Sequence, residues 1–231
     1  GAHYVNSPVI GNWADFVTRD LVSYTDSNYR TLPFTASRGL AGFSRGGDGA
    51  LRLALGFPDT YGAVYSMSGV NGYWGQNPYS REEWERRFAL AKAVRSTDPI
   101  GALTVEQLEQ VGWAAAYSPN PDRAPWFVDL PFEIVNGELK PIESVGQRHR
   151  ANDLEVLVES HSTNLRRLRA LRIDCGTSDE VITRTRLLTK ALSRLGIPHI
   201  YEEFEGGHGD RNRWRVETEL LPFFSGALTF R

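Results

Sequence analysis

Short apolar runs bounded by glycine and polar residues recur along the chain and predict four β-strands. Two of them, residues 38–43 and 63–67, lie in the first third of the chain. The other two, residues 168–175 and 197–204, lie near its end. Runs of this kind are typical of strands buried in a sheet. Because helical patterns separate the runs, the alternation indicates an α/β protein.

Helical periodicity is clearest at two places. Asn12 with Asp15 forms a capping pattern at the start of the first. Its apolar positions fall on one helix face: Trp13, Phe16, Val17, Leu21 and Tyr24. The second pattern follows Asp179 and ends at Gly196, where a glycine is typical of a helix end. Its apolar positions are Val181, Ile182, Leu187, Leu188, Ala191, Leu192 and Leu195.

Residues 70–165 do not continue the strand-and-helix alternation of the segments on either side. They hold short helical patterns and a proline-rich stretch, residues 118–127, that suits neither regular element. We therefore predict three regions: residues 1–69 and 166–231 form the two parts of the core, and residues 70–165 form a cap-like insertion. The aromatic side chains of Trp74, Trp126 and Phe127 either line an acyl or aryl pocket or form the insertion's own small core.

Composition excludes several classes of protein. The 231 residues suffice for one domain with a substantial core. A hydrophobic content of 41% and a net charge of −2 favour neither nucleic acid nor an anionic membrane as a partner. No apolar run approaches the length of a transmembrane helix. The single cysteine, Cys175, excludes an internal disulfide. No Cys/His spacing supports a metal site, so neither a metal nor another cofactor is expected.

Ser44 lies at the centre of a G-x-S-x-G motif, residues 42–46. A predicted strand leads into this motif, and the helix-like run 49–56 leads out of it. A nucleophile elbow needs this strand–turn–helix context, because the turn must present a serine hydroxyl at a helix N-terminus. The alternative is a glycine-rich connection in which Ser44 only caps the helix.

A nucleophilic serine needs a base, and the base needs an acid that orients it. In enzymes built on this elbow the chain order is serine, acid, histidine. Asp179 follows the third predicted strand, and His208 follows the fourth after two glycines. Both thus lie past the carboxyl ends of strands, where sites form in α/β sheets. Asp174 and Glu180 are alternative acids. The other histidines, expected in solvated or core positions, are His3, His149, His161 and His199.

An ordered set of short motifs resembles the Putative esterase family. That family includes S-formylglutathione hydrolases, enterochelin-esterase-like proteins, feruloyl and acetylxylan esterases and the antigen 85 mycolyltransferases. The matching segments are YVNSP (4–8), GNW (11–13), RDL (19–21), NYR (28–30), GFSRGG (42–47), FPDTYGA (57–63), SMSG (66–69), CGTSD (175–179) and FEGGH (204–208). The resemblance implies an α/β-hydrolase fold.

By the same resemblance, Ser44 is the nucleophile, Asp179 the acid and His208 the base. The backbone N–H of Arg45 is implied as one donor of the oxyanion hole. The implied activity is hydrolysis of a small carboxylic ester, with a short acyl or an aryl group, and without a cofactor. Acyl transfer by the same residues is an alternative.

Two departures from the family pattern affect these expectations. Arg45 and Asp48 stand where many members carry Met and Tyr, and both are candidates for lining the pocket. Family members also carry further strands before the region that matches residue 1. We therefore expect the fold to lack its N-terminal strands, and a separate N-terminal chain or a second copy to cover the exposed sheet edge. A further alternative is an incomplete hydrolase domain that is inactive without that segment.

Overall fold

The computed structural model describes residues 3–70, 105–136 and 138–231. It divides into two compact units: Gly1–Asp15 with Tyr73–Asn152, called unit one, and Phe16–Gly72 with Asp153–Arg231, called unit two. In chain order the elements are β1 (Asn6–Ser7), β2 (Gly11–Asn12), α1 (Trp13–Asp15), α2 (Leu21–Asn28), β3 (Gly39–Phe43), α3 (Arg45–Gly56), β4 (Ala63–Met67), α4 (Val105–Tyr117), β5 (Phe132–Val135), β6 (Glu138–Pro141), α5 (Glu143–Arg150), α6 (Leu154–Leu165), β7 (Ala170–Gly176), α7 (Ile182–Arg194), β8 (Ile200–Phe204), α8 (Asn212–Arg215) and α9 (Leu221–Ala227). Single π-helical turns, Phe16–Asp20 and Val216–Leu220, precede α2 and α9.

Unit two contains a four-stranded sheet in the order β3-β4-β7-β8. Every neighbouring pair of strands is parallel, so all four carboxyl ends meet at one edge. The predicted α/β class and all four predicted strands are confirmed. β8 begins at Ile200 rather than at residue 197. The later start has a simple reason, because Pro198 lacks the N–H that a paired strand donates.

The main core lies on one face of this sheet. Leu40, Val64, Leu171 and Ile173 pack there against apolar residues of α3, α6 and α7. In α7 the predicted amphipathic pattern is confirmed, since Leu188 and Leu192 are fully buried. On the other face, Phe223 of α9 packs edge-on against Tyr65, with ring centroids 5.5 Å apart. Helices thus cover both faces, as a buried parallel sheet requires.

The outer edge of β3 stands apart from this packing. No strand in the described part of the chain pairs with that edge. A groove of about 560 Å³ runs beside it, between α2 and the C-terminal residues, and Leu21, Leu40 and Phe230 contribute to its lining. Residues 13–28 are helical as predicted, but the apolar positions of that face are largely exposed, for example Tyr24 at 59%. The amide of Asp15 is capped by Asn6 Oδ1 at 3.1 Å.

Unit one has its own small cores around α4. One cluster gathers Trp113, Ala116 and Tyr117, and a second gathers Ala114, Ala115 and Val128. The Ser7 hydroxyl donates a hydrogen bond to the carbonyl of Ala115 over 2.5 Å and so ties the N-terminal hairpin to α4. None of the helices in the described residues has the length and apolar character needed to span a membrane.

Candidate active site

Ser44 occupies a tight turn between β3 and α3. Its backbone has φ 54° and ψ −122°, a region that residues other than glycine rarely adopt. The Ser44 amide donates to the Met67 carbonyl at 2.9 Å, and the Ser44 carbonyl accepts from the Asp48 amide at 3.1 Å. A Cβ on Gly42 would lie 2.2 Å from the backbone of Gly46, so the turn requires glycine there. The strained turn holds the serine at the carboxyl edge of the sheet.

His208 lies on the loop after β8 and reaches the serine directly. Its Nε2 is 2.7 Å from Ser44 Oγ, although 164 residues separate the two in sequence. The imidazole is about one third exposed. This distance is within the range for a base that accepts a proton from a serine hydroxyl.

Asp179 lies on the loop after β7 and holds the other side of the imidazole. Both of its carboxylate oxygens are 3.0 Å from His208 Nδ1, and Oδ1 also accepts the amide hydrogen of Val181 at 3.0 Å. The Asp179 side chain is fully buried. Since an ionised carboxylate only accepts hydrogen bonds, Nδ1 carries the proton and Nε2 is left to accept one from Ser44.

The loops that carry the acid and the base also contact each other. A Cβ on Gly176, at the end of β7, would lie 2.3 Å from the Gly206 carbonyl oxygen. The Ser178 amide donates to that same carbonyl at 2.9 Å. Glycine at 176 therefore allows the two loops to approach closely enough for Asp179 to reach His208.

The alternative acids lie elsewhere. Asp174 is buried inside the sheet, where it accepts hydrogen bonds from the Tyr65 hydroxyl and from Arg215. Glu180 is exposed. Sequence reasoning did not single out Arg215, because it lies 41 residues from Asp174 and belongs to no motif.

The other histidines pack against or bond to other residues. His3 packs against Trp113 in unit one, with ring centroids 4.6 Å apart. His149 is fully buried in unit one with its Nε2 2.7 Å from the Ser118 hydroxyl, and burial lowers the pKa of its imidazole to about 3. His161 and His199 bond to the backbone carbonyls of Leu157 and Ile197. Of the five histidines, His208, the predicted base, is the one hydrogen-bonded to Ser44.

The remaining predicted site residues are the oxyanion-hole residue Arg45 and three aromatic residues predicted to bind substrate. Arg45 is the first residue of α3, so its backbone N–H belongs to the first helical turn, whose amides point out of the helix end. Trp74 lies outside the described residues. Trp126 and Phe127 belong to unit one, where Trp126 packs against the second cluster around α4 and Phe127 is 43% exposed. Their role in binding substrate stays a prediction.

Asp48 is fully buried and forms an ion pair with Arg52. The two side chains lie four residues apart on α3, with Arg52 Nε 2.6 Å from Asp48 Oδ2. This ion pair holds the carboxylate against the side chain of Arg52 on the same helix. Within the described residues, no cluster of three or more His, Cys, Asp or Glu side chains has a geometry suited to a metal ion.

Comparison with known proteins agrees with the sequence motifs and the fold. Residues 6–112 match the model of the family described as Putative esterase. No curated protein matches the chain. The structure is similar to a ferulic acid esterase, with 19% identity and a TM-score of 0.61 over 99% of this chain and 68% of that one. It is also similar to FphF, a fluorophosphonate-binding serine hydrolase of Staphylococcus aureus, with 15% identity and a TM-score of 0.58 over 96% of this chain and 67% of that one.

An S-formylglutathione hydrolase from the same organism is a further structural neighbour. It shares 14% identity and a TM-score of 0.58, over 99% of this chain and 69% of that chain. Nearly the whole chain thus matches about two thirds of each of these structures. The match of residues 6–112 to the Putative esterase model and the shared α/β-hydrolase fold together support an ester-hydrolysing enzyme.

Proposed function

We propose that the protein is a serine carboxylesterase that cleaves small esters through Ser44, His208 and Asp179. One observation carries the proposal, the continuous hydrogen-bonded chain from Ser44 Oγ through His208 to the buried Asp179 carboxylate. A hydroxyl, an imidazole and a carboxylate linked in this order form the unit that activates serine for attack on an ester carbonyl. The strained backbone at Ser44 supports the same proposal, because strain of this kind concentrates at functional sites.

In the proposed mechanism each residue of the triad carries one part of the reaction. Ser44 Oγ attacks the ester carbonyl carbon while His208 Nε2 takes the hydroxyl proton. The tetrahedral intermediate then collapses, and the proton on Nε2 passes to the departing alkoxide, which leaves as the alcohol. Water attacks the acyl-serine in the same way, giving its proton to Nε2, and the acid is released as Ser44 Oγ recovers that proton. Asp179 stabilises the imidazolium at each stage.

The negative charge on the carbonyl oxygen is stabilised at the start of α3. The Arg45 N–H belongs to the first turn of that twelve-residue helix, where backbone donors point out of the helix end and the helix dipole is positive. Donors placed at a developing oxyanion are among the largest single contributions to such catalysis. We assign the Arg45 N–H as one of these donors.

The proposed substrates are esters with a short acyl or an aryl group. Long lipid chains need a broad apolar surface, whereas small acyl groups need only a confined pocket with few polar contacts. Two structural neighbours are named for substrates with small acyl groups. The ferulic acid esterase is named for an aryl acid, and the S-formylglutathione hydrolase for a formyl thioester. These names support small acyl groups without identifying the natural ester.

Hydrolysis of p-nitrophenyl acetate by the purified chain tests the proposal. We expect a burst of p-nitrophenol followed by steady turnover, and labelling of Ser44 by a fluorophosphonate, located by peptide mass spectrometry. Ser44→Ala and His208→Ala should each lower kcat by about 10⁶-fold, because each breaks the same proton-transfer unit. Ser37→Ala and His161→Ala are matched controls and should retain activity.

The absence of turnover by the folded chain, or labelling at another residue, would contradict the proposal. Adding an alcohol to the same assay separates the alternative activity, since an acyltransferase passes the acyl group to the alcohol in preference to water. The ratio of new ester to free acid measures that preference.

A further inference from the structure

A buried ion pair in unit two joins Arg215 of α8 to Asp174 of β7. Arg215 is 1% exposed. Its Nε is 3.1 Å from Asp174 Oδ2, and its Nη2 bonds to Asp174 Oδ1. The Tyr65 hydroxyl donates to the same carboxylate at 2.6 Å, and Asn212 Oδ1 accepts from Arg215 Nη1 at 2.9 Å. The pair is thus fully enclosed and well hydrogen-bonded.

The guanidinium of Arg215 lies near two aromatic rings that adjoin the proposed triad. Its central carbon is 4.7 Å from the ring centroid of Phe204 and 5.8 Å from that of Phe43. Phe43 directly precedes Ser44, and its ring centroid is 4.9 Å from that of His208. Phe204 is the last residue of β8, four positions before His208. The cation therefore contacts the strand ends that deliver the nucleophile and the base.

Arg215 also bonds to the segment after β4. Its Nη2 is 3.4 Å from the Ser68 hydroxyl, and the Ser68 amide donates to the Asp174 carbonyl at 2.9 Å. The neighbouring Met67 carbonyl accepts the amide hydrogen of Ser44. One guanidinium thus joins the carboxyl ends of all four strands, three of which lead into residues of the triad.

We propose that Arg215 is a positioning residue of the esterase reaction, holding the Ser44 turn and the His208 loop in register through Phe43, Phe204 and Asp174. The inference rests on the proposed function. Arginine suits this task because its planar fork can bond to a carboxylate at its edge while its face lies against aromatic rings. A misplacement of reacting groups by about 1 Å can cost about 100-fold in rate, so a residue outside the site can control turnover.

A purely structural role makes a different prediction. Buried ion pairs are often replaceable by neutral groups without loss of stability, whereas removing one partner leaves an uncompensated buried charge. If the pair served only stability, a neutral replacement of both partners would restore activity together with stability. If Arg215 positions the triad, the neutral replacement restores stability alone.

The experiment compares wild type, Arg215→Met and the double variant Arg215→Met/Asp174→Asn. For each protein we measure Tm, the kcat and KM for p-nitrophenyl acetate, and the rate of labelling by a fluorophosphonate. The kcat is normalised to the burst amplitude. We expect the double variant to recover most of the Tm lost in the single variant. Its kcat and labelling rate should stay about 10- to 100-fold below wild type, with KM changed by less than about threefold.

If the double variant does not fold, two milder variants test the same proposal. Arg215→Lys keeps the charge but loses the planar fork, and Phe204→Leu removes one ring while leaving the ion pair in place. Each should lower the labelling rate about tenfold. Arg184→Met is the matched control, because Arg184 is an equally buried arginine that pairs with Asp153 and Glu155 between α6 and α7. It should lower Tm and leave the normalised kcat unchanged.

Recovery of both Tm and kcat in the double variant would overturn the inference. So would wild-type labelling rates in both Arg215→Lys and Phe204→Leu. A wild-type chain without ester hydrolysis would instead refute the proposed function, and the wild-type measurement alone reveals that failure before any variant is compared.

Discussion

The substitution Asp179→Asn tests how the proposed triad orders its protons. It replaces one carboxylate oxygen by an NH₂ group and leaves the size of the side chain almost unchanged. In the wild type both oxygens face His208 Nδ1, and Oδ1 also accepts the Val181 amide hydrogen. The asparagine side chain retains one oxygen. This oxygen would keep the hydrogen bond from the Val181 amide, because breaking that bond would leave a buried N–H unpaired. The new NH₂ group would then face Nδ1.

This rotamer forces the wrong tautomer on His208. An NH₂ group donates, so Nδ1 must lose its proton and accept, and the proton moves to Nε2. The protonated Nε2 then donates to Ser44 Oγ, 2.7 Å away, and no longer accepts its proton. The same change in a triad on another fold lowers kcat by about 10⁴-fold, and each tenfold step corresponds to about 1.4 kcal/mol. We therefore expect the barrier to rise by about 5 kcal/mol with little change in KM.

The assay is the steady-state hydrolysis of p-nitrophenyl acetate, with circular dichroism and Tm as checks of folding. Glu180→Gln is the matched control, because it makes the same chemical change at the adjacent, exposed carboxylate. It should retain wild-type kcat. A kcat within about tenfold of wild type for Asp179→Asn, together with a large loss in Glu180→Gln, would refute the assignment of the acid.

Three further predictions concern the substrate, pH and assembly. Among p-nitrophenyl esters from C2 to C16, kcat/KM should peak at short chains, and a maximum at C12 or longer would contradict the proposed substrate class. Burial lowers the pKa of His149 from 6.5 to about 3, so below pH 6.5 the unfolded chain binds a proton that the folded chain does not, and stability falls as the pH falls. From pH 7 to 5 we expect a loss of about 2 kcal/mol in the free energy of unfolding of unit one, measured by urea titration with tryptophan fluorescence. His149→Gln should remove most of that loss, and an equal loss in the variant would contradict this explanation. The open edge of β3 and the exposed side chains of Leu21 and Phe230 beside it predict that a separate N-terminal segment or a second copy covers this face. Ultracentrifugation should then show an assembly, whereas a stable, fully active monomer of the 231-residue chain would contradict it.

Local sequence determined the features of this protein that need only neighbouring residues. The strand β4 lies where its short, mostly apolar run predicts, and all five of its residues are buried. The turn at Ser44 depends on Gly42 and Gly46, which lie two residues away on either side. Its motif can therefore be recognised from the sequence alone. Ser44, Asp179 and His208 each follow a predicted strand, and the sequence therefore predicts that they meet, because the carboxyl ends of parallel strands lie at one edge.

Tertiary structure alone decided the features that depend on contacts between distant residues. The sequence favoured Asp179 as the acid but left Asp174 and Glu180 as alternatives, and the surroundings of the three carboxylates separate them. The fold pairs Asp174 with Arg215, exposes Glu180 and leaves only Asp179 bonded to His208. Likewise, the capping pattern points to Asn12, but the turn between β1 and β2 brings Asn6 to the amide of Asp15 instead. Hydrogen bonds and ion pairs depend on distances of a few ångströms, and for residues as far apart in sequence as Asp174 and Arg215 only the packed sheet sets those distances.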